Sequence, residues 1–186
     1  MATKKDKSSS APAGLTDAQQ EKEFKRIKAE IEKLRGSVKK GDHFTALTDD
    51  QIREKLRRTN SPMFIGEGWS GSAPVGGTIS YNVTITNPDP VSRDSMYVHV
   101  FIGPANTASD VGSALRIVDA RFPRLSQPGF FGLTLAPSAS QSLSFSIKVP
   151  AGVEPSNYMG NAFLLQLNSF DVGVYFDRAS FVFQVT

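Results

Sequence analysis

The chain has 186 residues, 39% of them hydrophobic, with no cysteine, two histidines and a formal net charge of +3. That length suits one domain with an appendage or two small domains. The missing cysteine excludes disulfides, thiolate nucleophiles and thiolate metal ligands.

Charge is unevenly spread. Residues 1–60 carry fifteen Lys/Arg and ten Asp/Glu, whereas residues 61–186 carry six and eight. The break falls at Asn60-Ser61-Pro62, between a charged stretch patterned for helix and a nearly charge-free stretch patterned for strand. The N-terminus has a basic start but lacks the apolar segment of a signal peptide. No run approaches the roughly 18 apolar residues of a membrane span. The default expectation is a cytoplasmic protein, with a virion or signal-independent export as the other compartments considered.

Residues 1–14 are rich in Lys, Ser, Ala, Pro and Gly. Such a composition buries too little to offset ordering and predicts a disordered tail. Thr16-Asp17-Ala18-Gln19 matches a capping box, and the helix it opens is predicted over about 17–35, with Gly36 as its stop. Phe24, Ile27, Ile31 and Leu34 form a narrow apolar seam at 3-4-3 spacing along it. A helix this short is marginal alone in water. The seam is therefore expected to lie against the chain's own sheet or against a second chain. After a loop through Lys39-Lys40-Gly41-Asp42, Thr48 to Gln51 repeats the capping pattern, and a second helix is predicted over about 49–58. Pro62 forbids its continuation.

From here the period changes from 3.6 to 2. Thr78 to Thr86 alternates without a fault between Gly76-Gly77 and Asn87-Pro88-Asp89-Pro90. Met96 to Ile102 is apolar on both faces, and Leu143, Phe145, Ile147 and Val149 alternate with Ser and Lys. A weaker strand is expected at 114–122, and 158–167 and 172–185 supply the last two or three strands. Seven or eight strands without intervening helices predict an antiparallel, Ig-like β-sandwich over 62–186.

Two stretches carry a family resemblance. One is Val75-Gly76-Gly77-Thr78 leading through the alternating strand to Asn87, then Tyr97-Val98-His99-Val100. The other is Leu133-Thr134-Leu135-Ala136-Pro137-Ser138-Ala139-Ser140, leading to Leu143–Val149 and Pro150-Ala151-Gly152. Together they resemble bacterial CARDB-type and related Ig-like modules over roughly 62–186. Asn-Pro-Asp-Pro stands in place of that family's Asn-x-Gly turn, and Ser138 in place of its usual glycine. The resemblance implies a sandwich used as spacer, adhesion module or assembly unit.

Chemistry-bearing motifs are few. Gly66-Glu67-Gly68-Trp69-Ser70-Gly71 matches G-x-G-x-x-G but runs into a strand, so no helix N-terminus is available for a pyrophosphate. His43 and His99 lack the spacing of a zinc site, and the Asp residues form no calcium-loop ladder. No catalytic residue, metal ligand or cofactor is assigned, and no enzyme is expected.

The function expected instead is structural: homo-oligomeric assembly, or capture of a protein partner. Its contacts are expected at Phe24, Ile27, Ile31 and Leu34 of the seam, at Tyr97 and Phe101 of the two-sided strand, and at Phe130 and Phe131. If the seam docks in cis, the expected surface is the outer face of that strand, where it would meet Tyr97 and Phe101. Two alternatives stand beside this. One is a viral coat-type sandwich whose arm meets nucleic acid through Lys4, Lys5 and Lys7. The other is a carbohydrate-binding accessory module that stacks sugars on Trp69 and Tyr97.

Overall fold

A computed structural model describes residues 14–40, 42–58, 61–104, 116–118, 124–126, 130–167 and 173–186; side chains at 101–130 and at 173 lie outside the described set. The tail expected at 1–14, with Lys4, Lys5 and Lys7, falls outside it except for Gly14.

The first helix, α1 (Asp17–Ser37), starts as its capping box dictates. Gln19 N–H donates to Thr16 Oγ1 at 3.3 Å, and Thr16 N–H donates to Gln19 Oε1 at 2.9 Å. Thr16→Ala is expected to lower stability by about 1 kcal/mol. Urea unfolding checks this, with a lower midpoint and an unchanged slope. The helix runs through Gly36 instead of stopping there. Its end is made by Val38, whose N–H donates to Arg35 O at 3.3 Å from an extended conformation, φ −69°. No left-handed residue is needed for that exit, so the glycine is free to stay helical.

A short strand follows, β1 (His43–Ala46), where the local pattern suggests only loop. Four residues carry no readable period. The strand exists because it pairs antiparallel with the distant β3 (Gly66–Ala73). The second helix, α2 (Asp49–Arg58), is capped like the first, with Gln51 N–H on Thr48 Oγ1 at 3.3 Å, and buries Ile52 and Leu56.

The remaining strands are β2 (Met63–Phe64), β4 (Thr78–Asn87), β5 (Arg93–Pro104), β6 (Arg116–Val118), β7 (Arg124–Ser126), β8 (Phe130–Leu135), β9 (Ala139–Lys148), β10 (Ser156–Leu167) and β11 (Gly173–Val185). Seven strands have six or more residues, and the other four are short additions. They form two sheets, one ordered β1-β3-β11-β10-β5-β8-β7 and one β2-β4-β9-β6. The chain is therefore mainly β, a two-sheet sandwich with two helices. Every described pairing is antiparallel except β3 with β11, where an early strand lies parallel to the last one.

Alternation places one row of each strand in the core. Ile79, Tyr81, Val83 and Ile85 of β4 and Leu143, Phe145 and Ile147 of β9 are buried from one side. Met96, Val98 and Val100 of β5, Leu164 of β10, and Phe181 and Phe183 of β11 are buried from the other. The glycine-rich motif is β3 itself, and its small residues serve close packing. A Cβ at Gly66 would lie 2.2 Å from the Phe44 ring.

The β4–β5 turn is tied down by Asn87, which is fully buried. Its Nδ2 donates to Val91 O at 2.9 Å and to Ala136 O at 3.1 Å. Ser138 has φ +46°, a conformation glycine adopts more easily, which accounts physically for a glycine preference at that place.

Helix α1 crosses the outer face of the four-stranded sheet. Arg26 Nη1 donates to Ser140 Oγ at 2.7 Å and Nη2 to Thr86 Oγ1 at 2.8 Å; Nε donates to Glu23 Oε2 at 2.8 Å. Under the helix the outward-facing Thr84 and Thr86 are buried, and Phe24, Ile27, Ile31 and Leu34 join the same apolar cluster as α2 and the sandwich. The seam thus docks in cis, but on the opposite sheet from the one expected. The outward row of β4 and β9 beneath Arg26 is Ser and Thr, which satisfies an arginine as well as it satisfies water.

Candidate functional site

Because α1 covers the other sheet, the outer face of the seven-stranded sheet keeps its apolar side chains at the surface. Cross-strand register builds the patch. Tyr97 lies opposite Leu165 and His99 opposite Phe163 across β5 and β10. Tyr175 lies opposite Leu165 and Arg178 opposite Phe163 across β10 and β11.

The ring of Phe163 sits 6.4 Å from that of His99 and 6.4 Å, edge-on, from that of Tyr175. Tyr97, His99, Phe163 and Leu165 are half-buried, whereas Tyr175 is 56% exposed. Met159 and Val182 extend the apolar surface along the same rows at about 40% exposure. Burial holds the His99 imidazole below its ordinary range, so the ring contributes a neutral aromatic surface near pH 7. Arg178 is the charged side chain in this register.

The expected contact residues divide. Phe24, Ile27, Ile31 and Leu34 are no more than 6% exposed and are spent on the chain's own fold. Phe131 is fully buried, with its ring 6.1 Å from that of Phe145 inside the sandwich. Tyr97 stands on the outer face. Phe101 and Phe130 occupy known backbone positions, opposite Asn161 and His99 respectively, but their side chains lie outside the described residues. Sequence reasoning did not single out Phe163 or Leu165. Their signal was present, since Phe163 and Leu165 alternate with the buried Ala162 and Leu164, making β10 as two-sided as β5.

A second feature lies on the other sheet. Beyond the end of α1, a groove of about 250 Å³ opens between Leu34–Lys39, Asp42-His43 and the polar rows of β4 and β9. Ser80 and Ser146 share a hydroxyl hydrogen bond at 2.8 Å on its floor, and Ser144 Oγ donates to Asn82 Oδ1 at 3.4 Å. Tyr81 reaches between the sheets, where its O–H donates to Val182 O at 3.1 Å; burial, then the Asp42 carboxylate, pushes the phenol well above its usual range.

Trp69 also lines this groove but is only 7% exposed and packs on Phe44, with ring centroids 5.3 Å apart. It is not the exposed stacking platform the carbohydrate reading requires. Its indole N–H is buried without a hydrogen-bond partner among the described residues.

Nine ion pairs form among the described residues, including Lys25–Glu21, Lys28–Asp49, Arg53–Glu21 and Lys55–Asp177. The charge of the helical arm is thus interleaved, not a single-sign field of the kind that gathers phosphates. Among the described residues no group of three or more His, Asp or Glu is placed to hold a metal ion, and no helix is long and apolar enough to cross a membrane.

No protein-family model matches the chain, and no curated protein matches it. Solved structures match parts of the chain at low identity. A family 123 glycoside hydrolase from Clostridium perfringens matches 78% of this chain at 11% identity and TM-score 0.45, although the chain spans only 26% of that protein. A CARDB domain from Pyrococcus furiosus matches 68% of this chain and 91% of its own length, at 17% identity and TM-score 0.36. A cohesin from Acetivibrio cellulolyticus, solved in complex with a dockerin, matches 67% of this chain and 98% of its own, at 12% identity and TM-score 0.41.

Proposed function

We propose that this chain is a non-enzymatic assembly module that packs against a second copy of itself through the outer face of its seven-stranded sheet. The observation that carries the reading is the register-built patch of Tyr97, His99, Phe163, Leu165 and Tyr175, which neither described helix covers because the helical seam is spent on the opposite sheet. Contiguous exposed apolar patches of this kind mark interfaces in soluble proteins. Low charge favours a copy over an oppositely charged partner. A face with Arg178 as the charge in its register can meet itself about a two-fold axis without facing blocks of like charge, and an arginine can rest on an aromatic ring across such an axis.

Sedimentation equilibrium of the full chain tests this directly. The expected result is a mass that rises with concentration toward twice that of a single chain. Phe163→Glu would then desolvate an unpaired carboxylate in the contact and weaken association by about two orders of magnitude. A chain that stays monomeric at every concentration, or one whose association Phe163→Glu leaves intact, defeats the reading.

A further inference from the structure

We propose that the groove at the end of α1 is a binding site for a small, neutral, polyhydroxylated ligand of the monosaccharide or polyol class. The assignment is independent of the assembly face, which lies on the other sheet. It rests on the groove's size, the chemistry of its walls and one unsatisfied donor.

At about 250 Å³ the groove lies just below the roughly 300–1,000 Å³ range that holds drug-sized molecules, so one sugar ring or a small polyol suits it. Its floor is a run of groups that both donate and accept. In the Ser80–Ser146 pair one hydroxyl proton is used and the other is left over, and both oxygens keep acceptor capacity. Asn82 accepts from Ser144 through Oδ1, and its amide group adds two further donors to the floor. Sugar hydroxyls have the same double character, whereas a phosphate only accepts when fully ionised. The charged groups on the rim, Lys39 and Asp42, oppose one another, so the walls carry no surplus charge that would select an anion. Val38, half-buried at the end of α1, and the edge of Leu34 supply the apolar side of the groove.

The second observation is Trp69 itself. Its side chain forms part of this wall, is more than nine-tenths buried, and has an indole N–H with no acceptor among the described residues. Leaving such a donor unmet costs about 1–3 kcal/mol. Native chains keep few such groups, and each calls for an explanation. The nitrogen itself lies beneath the wall, so a ligand hydroxyl becomes its acceptor through a small shift of the indole toward the groove, and the fluorescence titration reads that shift.

Trp69 is the single tryptophan of the chain, so intrinsic fluorescence of the full-length protein reports on the groove. Glucose, N-acetylglucosamine and inositol are titrated in turn to about 50 mM, enough to saturate a site of ~1 mM affinity, with inorganic phosphate as the anionic probe. The expected result is a saturable change with at least one neutral probe. Asn82→Ala and Ser80→Ala should each weaken it by about tenfold, the value of one hydrogen bond. Ser80 is exposed, so its variant keeps the test alive if Asn82→Ala fails to fold. Thr16→Ala, at the far end of α1, should leave the affinity unchanged. No response to any neutral probe overturns the proposal, as does a response equal in the wild type and the folded groove variants. A response to phosphate alone overturns it in favour of an anion site.

Discussion

Arg26→Ala is expected to be among the most damaging single substitutions in the helical arm, costing about 3 kcal/mol of stability. The guanidinium is the link between α1 and the four-stranded sheet, bonding Glu23 on its own helix and Thr86, Ser140 and the Asn87 carbonyl beneath it. The Glu23 side chain is only 4% exposed, so loss of its cation leaves a buried carboxylate with its partner gone. Breaking a buried pair costs about 3–5 kcal/mol, and the 23% exposure of the Arg26 side chain places this case at the lower end. The test is a pair of unfolding curves. Glu23→Leu combined with Arg26→Met removes both charges and should recover most of the loss, because desolvation of the pair is removed along with its attraction. If the double variant is as unstable as Arg26→Ala, the pair is not the source of the effect.

Gly160→Ala should cost about as much, by the opposite route. Gly160 and Phe181 are cross-strand partners in β10 and β11, and a Cβ at Gly160 would lie 1.9 Å from the Phe181 ring. That ring is 1% exposed and lies 5.1 Å from Tyr81 and 5.8 Å from Phe145, so it has nowhere to move. Overpacking a full core costs about 1–3 kcal/mol, and a clash this direct belongs at the top of that range. Phe181→Leu on the Gly160→Ala background should restore part of it. The signature is a coupling energy of about 1 kcal/mol or more in a double-mutant cycle of urea midpoints. Strictly additive losses would mean that ring and glycine are not in contact.

These two cases mark where local reading ends. A glycine inside a strand pattern looks like a weakness, and only the register of β10 on β11 shows that it makes room for a ring. An arginine four residues from Glu30 on a charged helix looks like one more solvated side chain, and only docking shows it gripping a sheet. The capping boxes at Thr16 and Thr48 were legible, because a cap involves residues three apart and answers to nothing distant. So was the alternation of β4 and β9, whose apolar rows lie in the core as their spacing requires. Strand β1 was not, since four residues acquire their conformation from the edge they join.

The candidate face was half legible for the same reason. Tyr97 was visible as the wrong kind of residue on the outward side of a strand. Its neighbours Phe163 and Tyr175 come from strands more than sixty residues further along, and only pairing brings them together. The groove was less legible still. Serines and an asparagine at alternate positions read as an ordinary solvent face until a helix end and the start of β1 wall them in.

By itself the sequence determined that two helices precede a mainly β region, where each helix begins, and which rows of α1, α2, β4 and β9 are buried. Those are consequences of spacing, capping and side-chain shape within a few residues. The tertiary structure decided what each buried row meets. The seam went to a polar sheet face because Arg26 could satisfy the Ser and Thr row there while Phe24, Ile27, Ile31 and Leu34 reached the apolar cluster shared with α2. That choice leaves the aromatic face of the other sheet open. It depends on contacts between residues far apart in the chain, which no local pattern encodes.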